Sequence, residues 1–334
     1  MKIGIYGAGS LGIVLGAYLT KADIPVDLIN RNEAHAAALR EHGARVEGTV
    51  SLAVPVQAMT PQEMRGGYDL LFLLTKQLEN PSVVASLVPQ LADTGIICTM
   101  QNGLPEPGIA VIAGEDRVLG CTVEWGAMLV APGVSRLTSD PDSLSFGLGS
   151  LANVTEEHLK QVRDVLTRMC PVTMETNFMG VRWSKLLINA AFSGMSAVLG
   201  CTFGEAAADK RSRRCVQRVI KECIDVARAN GVRIAPVQGK DIVKLLDYHN
   251  PIKRSISSLI IPIAIKKHRM IKASMLQDIE NGKLTEVDAI NGVIASYGRK
   301  AGVPTPYNDR IVDIIHGIER GEHKPDFANI ALFP

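Results

Sequence analysis

Met1-Lys2-Ile3-Gly4-Ile5-Tyr6-Gly7-Ala8-Gly9-Ser10-Leu11-Gly12 opens the chain: a short apolar strand breaks into G-x-G-x-x-G, and a helical run over 13–20 comes next. This order of elements cradles a pyrophosphate in dinucleotide-binding folds. Gly7 permits the tight turn, Gly9 lets the backbone approach the anion with no Cβ in the way, and Gly12 lets the helix lie close on the strand. The helix N-terminus, with Ala8, Ser10 and Leu11 between the glycines, then points its N–H groups at the anion. Glycines also punctuate ordinary turns, so the motif carries weight only together with the strand after it.

A second apolar strand, Pro25-Val26-Asp27-Leu28-Ile29, ends at Asn30-Arg31, where an NAD-binding chain places a carboxylate against the ribose 2′-hydroxyl. Here no carboxylate stands. Asn30 can hydrogen-bond a ribose, and the Arg31 guanidinium offers a planar fork suited to a 2′-phosphate. The pair argues for NADP(H); the alternative is a solvated arginine at the start of a helix.

At 334 residues the chain has room for two domains. With 36 Lys and Arg against 34 Asp and Glu, no global field recruits nucleic acid or an acidic membrane, so the expected partner is a small molecule. Cys98, Cys121, Cys170, Cys201, Cys215 and Cys223 show no C-x-x-C spacing, and no signal peptide precedes the first strand, which points to a reducing cytoplasm. The apolar stretch 259–265 is too short to span a bilayer. The seven histidines form no ligand-like spacing, so no metal is expected.

Further along, 68–74 and 95–100 are continuous apolar runs of the kind shown by strands covered on both faces, with a helix over 78–91 between them. This βαβ order predicts a parallel sheet. Segments 120–130, 133–138 and 144–149 read as further strands, and after them come a helix over 155–168 and a strand over 172–175. Beyond about 178 the period is helical, most clearly at 178–199, 212–230, 285–302 and 307–320. The expected fold is α/β: a doubly wound, Rossmann-type parallel sheet in residues 1–176, binding NADP, and an all-helical substrate domain in 177–334.

Two loop tips fall at carboxyl ends of strands, where open α/β sheets hold ligands. Lys76 lies in Leu74-Thr75-Lys76-Gln77 and Asn102 in Met100-Gln101-Asn102-Gly103. Lys76 could meet a ribose or phosphate, and Asn102 offers both a donor and an acceptor. In the helix that opens the second domain, Lys185, Asn189 and Ser193 recur every four residues and share one face. That polar stripe reads either as one wall of a cleft or as a snorkelling lysine beside a capping asparagine. Thr285 and Asp288 have capping-box spacing, which places Glu286 in the first turn of a helix. Nothing so bland explains Ser274-Met275-Leu276-Gln277-Asp278.

Taken in order, these motifs resemble the ketopantoate reductases (2-dehydropantoate 2-reductases), over essentially the whole chain. The resemblance implies NADPH-dependent reduction of a 2-keto acid, with Lys185 as proton donor to the carbonyl and Asn102 and Asn189 bonding the substrate or holding the lysine. It implies that Ser274 binds the substrate carboxylate or hydroxyl, that Glu286 contacts the cofactor side of the site, and that Lys76 and Ala127 touch NADPH. Two departures bear on the substrate. Ser193, and Thr202 further on, stand where the family often has asparagine, and 236–271 is longer and more basic, with Lys266-Lys267-His268-Arg269 near its end, a solvated face or an added anion contact. A related dehydrogenase acting on another keto acid and a non-enzymatic NADP(H) sensor are the alternatives. A homodimer is left open.

Overall fold

The computed structural model describes residues 1–152, 154–237 and 239–334. They form two compact units, Met1–Phe178 and Met179–Pro334.

The first unit runs β1 (Ile3–Tyr6), α1 (Ser10–Lys21), β2 (Val26–Ile29), α2 (Glu33–His42), β3 (Ala44–Gly48), β4 (Leu52–Val54), β5 (Gln57–Met59), β6 (Tyr68–Leu73), α3 (Asn80–Leu87), β7 (Leu91–Thr99), α4 (Glu106–Ala113), β8 (Val118–Val123), β9 (Ala127–Ala131), β10 (Val134–Leu137), β11 (Phe146–Gly149), α5 (Glu156–Leu166) and β12 (Val172–Met174). Eight strands make one sheet in the order β12-β11-β8-β7-β6-β1-β2-β5, parallel except where β11 runs against β8. Alternate residues of its strands enter opposite cores. Leu70 and Phe72 join Val14 and Leu15 of α1 and Val162 of α5, whereas Leu71 and Leu73 join Val84 and Leu87 of α3 and Ile109 of α4. Cover on both faces is why this strand reads as an unbroken apolar run, and the doubly wound α/β expectation holds.

A second sheet, β4-β3-β10-β9, is absent from the expectations. Its Ala44, Val46 and Leu137 share a core with Ile13, Val14 and Ala17, so α1 is covered by both sheets and is apolar nearly all round. The second sheet also corrects the strand expected over 120–130. That run is two strands, β8 in the large sheet and β9 in the small one, with Glu124-Trp125-Gly126 turning between them. Apolar content continues through the break, so pattern alone could not reveal it.

From β1 the chain winds outward through β2 in one direction and through β6, β7 and β8 in the other. The carboxyl ends of β1 and β6 therefore flank the reversal point of the sheet, the position at which open α/β sheets bind ligands.

The second unit is built of α6 (Phe178–Ile188), a π turn at Asn189–Ser193, α7 (Gly194–Leu199), α8 (Phe203–Ala208), α9 (Lys210–Ala229), α10 (Ile242–Leu246), α11 (Pro251–Ala264), α12 (Ser274–Glu280), α13 (Val287–Ala301) and α14 (Pro306–Glu319). Its core gathers Leu187, Met195 and Val198 with Val216, Ile220 and Ile224 of α9, Ile290 and Ile294 of α13, and Ile311 and Ile315 of α14. Among the described residues no helix is long and apolar enough to cross a membrane.

One carboxylate sits inside this core. Glu222 of α9 is buried and accepts the Tyr307 N–H (2.8 Å), the Asn308 N–H (2.9 Å) and Asn308 Nδ2 (2.7 Å), which caps the N-terminus of α14 from outside the helix. Burial outweighs these donors and pushes its pKa up to about 7. Folding therefore takes up a proton between the ordinary carboxylate range and pH 7. The contribution of Glu222 to stability is full at low pH and is lost as pH rises through about 7. Urea unfolding at pH 5 and pH 8 should show wild type losing on the order of 2 kcal/mol relative to Glu222→Gln across that interval; a constant difference would refute the assignment.

Candidate active site

At the end of β1, Gly7 takes φ +100°, and a Cβ there would stand 2.6 Å from the Thr75 nitrogen. A Cβ on Gly12 would lie 2.6 Å from the Gly7 carbonyl oxygen. Gly9 differs, because the nearest atom to its Cβ position is the Gly7 oxygen at 4.0 Å. Two of the three glycines are thus required by close backbone, and the third borders open room. Gly9 also precedes α1 without a side-chain cap, and the first turn of Ser10, Leu11 and Gly12 carries no acid. A helix terminus in that state favours an external anion.

The turn is braced from behind. Gly7 and Ala8 N–H groups both donate to the Ile29 oxygen (3.0 Å each), and the Ala8 oxygen accepts Asn30 Nδ2 (3.0 Å) and His35 Nε2 (2.8 Å). Burial lowers the pKa of His35, favouring the neutral ring with its N–H on Nε2. Asn30, read from the sequence as a ribose contact, also accepts the Asn32 N–H at Oδ1 (2.9 Å) and so braces the turn. Sequence reasoning missed His35 altogether. Its only signal was its position three residues after Asn32, the cap of α2.

Arg31 leaves β2 into solvent, 80% exposed, and pairs with Glu79 at 2.7 Å. Exposed pairs of this kind are worth under about 1 kcal/mol, so the fork yields readily to a stronger anion. The two predicted loops are joined by buried Gln101, which exchanges hydrogen bonds with the Asn80 amide (2.7 and 3.0 Å) and donates to the Thr75 oxygen (2.8 Å), while Gln77 donates to the Asn102 carbonyl. Lys76 and Asn102 thus belong to one bracket, both half-buried. Among the described residues nothing hydrogen-bonds the Asn102 side amide. Ala127 opens β9, half-buried against the core that holds Trp125.

In the second unit, Lys185 and Asn189 are half-buried on a helix whose neighbours Trp183, Leu186, Leu187 and Ala190 are buried, and Ser193 is 6% exposed. The helix is not continuous α. At Asn189–Ser193 it widens into a π turn, with the Gly194 N–H bonded to the Asn189 oxygen. Residues four apart drift by roughly 40° around an α-helix, and a wider turn sets that drift back, so Ser193 returns toward the Lys185 line.

Ser274 is the exposed first residue of α12, and the Ala273 N–H before it donates to Ser196 Oγ (3.4 Å). Glu286 is half-buried immediately before α13. The expected capping box is not formed. The helix starts at Val287, Thr285 Oγ1 accepts the Val287 N–H (3.3 Å), the Thr285 N–H goes to Glu319 (2.8 Å), and Asp288 pairs with His316 (3.0 Å). Thr202 caps α8 reciprocally with Glu205. Lys266, Lys267, His268 and Arg269 are all exposed after α11.

Residues 3–150 match the ketopantoate reductase PanE/ApbA family, and residues 177–319 match its C-terminal domain family. The chain belongs to the ketopantoate reductase family. It is 28% identical to a 2-dehydropantoate 2-reductase of Streptococcus pyogenes over 96% of this chain and 98% of that one. A ketopantoate reductase from Ralstonia eutropha superposes with TM-score 0.82 at 25% identity, covering 97% and 100% of the two chains. D-mandelate dehydrogenase with NADH and anilino(oxo)acetate shares the fold at TM-score 0.81 and 23% identity, over 96% and 99%.

The glycines of the turn should separate in stability measurements. Gly12→Ala forces α1 away from backbone and should cost about 1–3 kcal/mol or more, whereas Gly9→Ala should stay within about 1 kcal/mol of wild type. Equal urea midpoints for the two variants would contradict the packing described.

Proposed function

We propose that this member of the ketopantoate reductase family reduces a 2-keto acid to the 2-hydroxy acid with NADPH, ketopantoate to pantoate being the first choice, and that Lys185 is the proton donor. The observation that carries this reading is the half-buried Lys185 and Asn189 one turn apart on a helix whose Trp183, Leu186, Leu187 and Ala190 are buried, in a chain matched along both units by that family.

The residues present fit the cofactor. Open room at Gly9 and the uncapped start of α1 suit the pyrophosphate, and Arg31, weakly engaged at the end of β2, suits the 2′-phosphate. Lys76, Ala127 and Glu286 complete its proposed contacts. Bound there, NADPH supplies the hydride. As the substrate carbonyl takes on negative charge, the Lys185 ammonium stabilises the oxygen and passes it a proton from Nζ. Asn102 and Asn189, each with donor and acceptor, orient the carbonyl or the ammonium, and Ser193 and Ser274 contact the rest of the substrate. In this assignment 1–176 binds NADP and 177–334 binds substrate.

An NADPH-oxidation screen over 2-keto acids, including ketopantoate and its analogue without the hydroxyl, tests the reaction. Lys185→Ala should lose about 10²- to 10⁴-fold in turnover while keeping NADPH affinity; near-normal turnover would return Lys185 to a snorkelling role.

Cofactor choice has its own test. NADPH should be strongly preferred, and Arg31→Ala should raise KM for NADPH by about ten-fold or more with NADH use unchanged. Equal efficiency with both cofactors in wild type would sink the 2′-phosphate assignment.

A further inference from the structure

The π turn is held from outside its own helix. Asn291, on α13 and fully buried, donates through Nδ2 to the Ala190 carbonyl (3.2 Å) inside the turn and to Asn308 Oδ1 (3.0 Å). Asn308 Nδ2 donates in turn to Glu222 (2.7 Å). Both Glu222 oxygens face backbone N–H donors of α14, so Asn308 turns its own donor toward them and its oxygen toward Asn291, which sets the Asn291 donor end at the helix.

We propose that Asn291 is a positioning residue for the substrate face: by bonding the Ala190 carbonyl it holds the widened turn open and so fixes where Asn189 and Ser193 stand relative to Lys185. This rests on the reading of that face as the substrate site.

Stability alone does not account for the arrangement. A π turn is rarer than continuous α-helix and recurs at functional sites. Asn291 Oδ1 is buried without a hydrogen-bond partner among the described residues, a cost that a leucine of similar size would not carry. Gly194, next to the turn, is a glycine inside a buried helix, a poor choice for helix formation. A Cβ there would lie 2.9 Å from Asn291 Oδ1 and 3.1 Å from Ile311 Cγ2, so close approach of α13 and α14 to the turn requires it. The Lys185 helix and α13 meet again where Trp183 sets its edge on Tyr297 (centroids 5.6 Å apart, planes at 83°). Helix α13 thus holds the lysine helix at two levels, and it starts beside Glu286. Three departures from ordinary helix chemistry converge on one carbonyl five residues beyond Lys185.

Gly194→Ala and Asn291→Leu test this. The first adds a methyl that pushes the Asn291 amide aside, an overpacking cost that alanine's helix preference offsets only in part. In both variants kcat/KM for the keto acid should fall about 10- to 100-fold, the scale of a small misplacement of reacting groups, with the dissociation constant for NADPH unchanged. Hydrogen exchange should lose protection over 189–195 and keep it in α9. If Asn291→Leu fails to fold, Gly194→Ala decides alone. Keto-acid kinetics within twofold of wild type and unchanged exchange would overturn the proposal, as would losses in keto-acid and NADPH parameters that merely track a lowered melting temperature. A wild type that reduces no 2-keto acid would defeat the proposed reaction, and the exchange data would still decide whether Asn291 holds the turn.

Discussion

The approach of α1 to β1 and β2 is the constraint on which the first unit depends. Gly12 lets the helix touch the Gly7 carbonyl, and at Gly16 a Cβ would come within 2.4 Å of Leu28. With that spacing α1 fills the layer between the two sheets, and Ile13, Val14, Leu15 and Ala17 are buried completely. The phosphate turn is then the rim of the core. Its shape is set by interior packing and by Asn30 and His35 behind it, so in the proposed function the cofactor would meet N–H groups already in place.

The second unit reaches the same rigidity by polar means. Burying Glu222, Asn308 and Asn291 away from water is unfavourable unless their donors and acceptors are matched. Here a carboxylate with no cation satisfies the first N–H groups of α14 and orients two amides in series. Apolar replacements could fill the space between α9, α13 and α14, leaving those N–H groups without that acceptor. What they would not do is connect those helices to a backbone carbonyl inside the Lys185 helix.

Much of this was legible in the sequence and some was not, for physical reasons. The central strands announced themselves because cover on both faces favours runs of apolar residues, as in Leu70–Leu73 of β6. The small sheet did not. Its strands run three to five residues, and Arg136 and Glu47 on its outer face form an ion pair across 89 residues of sequence. Local patterning cannot show that pairing. Lys185, Asn189 and Ser193 stood out by spacing, yet the same spacing is compatible with α or π geometry, so the turn that aligns them stayed hidden. His35 and Asn291 read as ordinary helix residues because a polar side chain aimed inward looks, in sequence, like one aimed at solvent.

The places where local rules are broken are informative for that reason. Six helices obey them: Asn32, Thr155, Thr202, Asp209, Asp241 and Asn250 each cap the helix they precede. Other helices, α3 and α12 among them, also start without a side-chain cap, but two departures stand at the features described above. One is the start of α1, uncapped and without an acid, beside the open room at Gly9. The other is the π turn, with a helix-interior glycine and an unpaired buried oxygen. Under the proposed function these two places are the cofactor turn and the helix of the proton donor, where a ligand or a fixed geometry gives an unmet hydrogen bond a use.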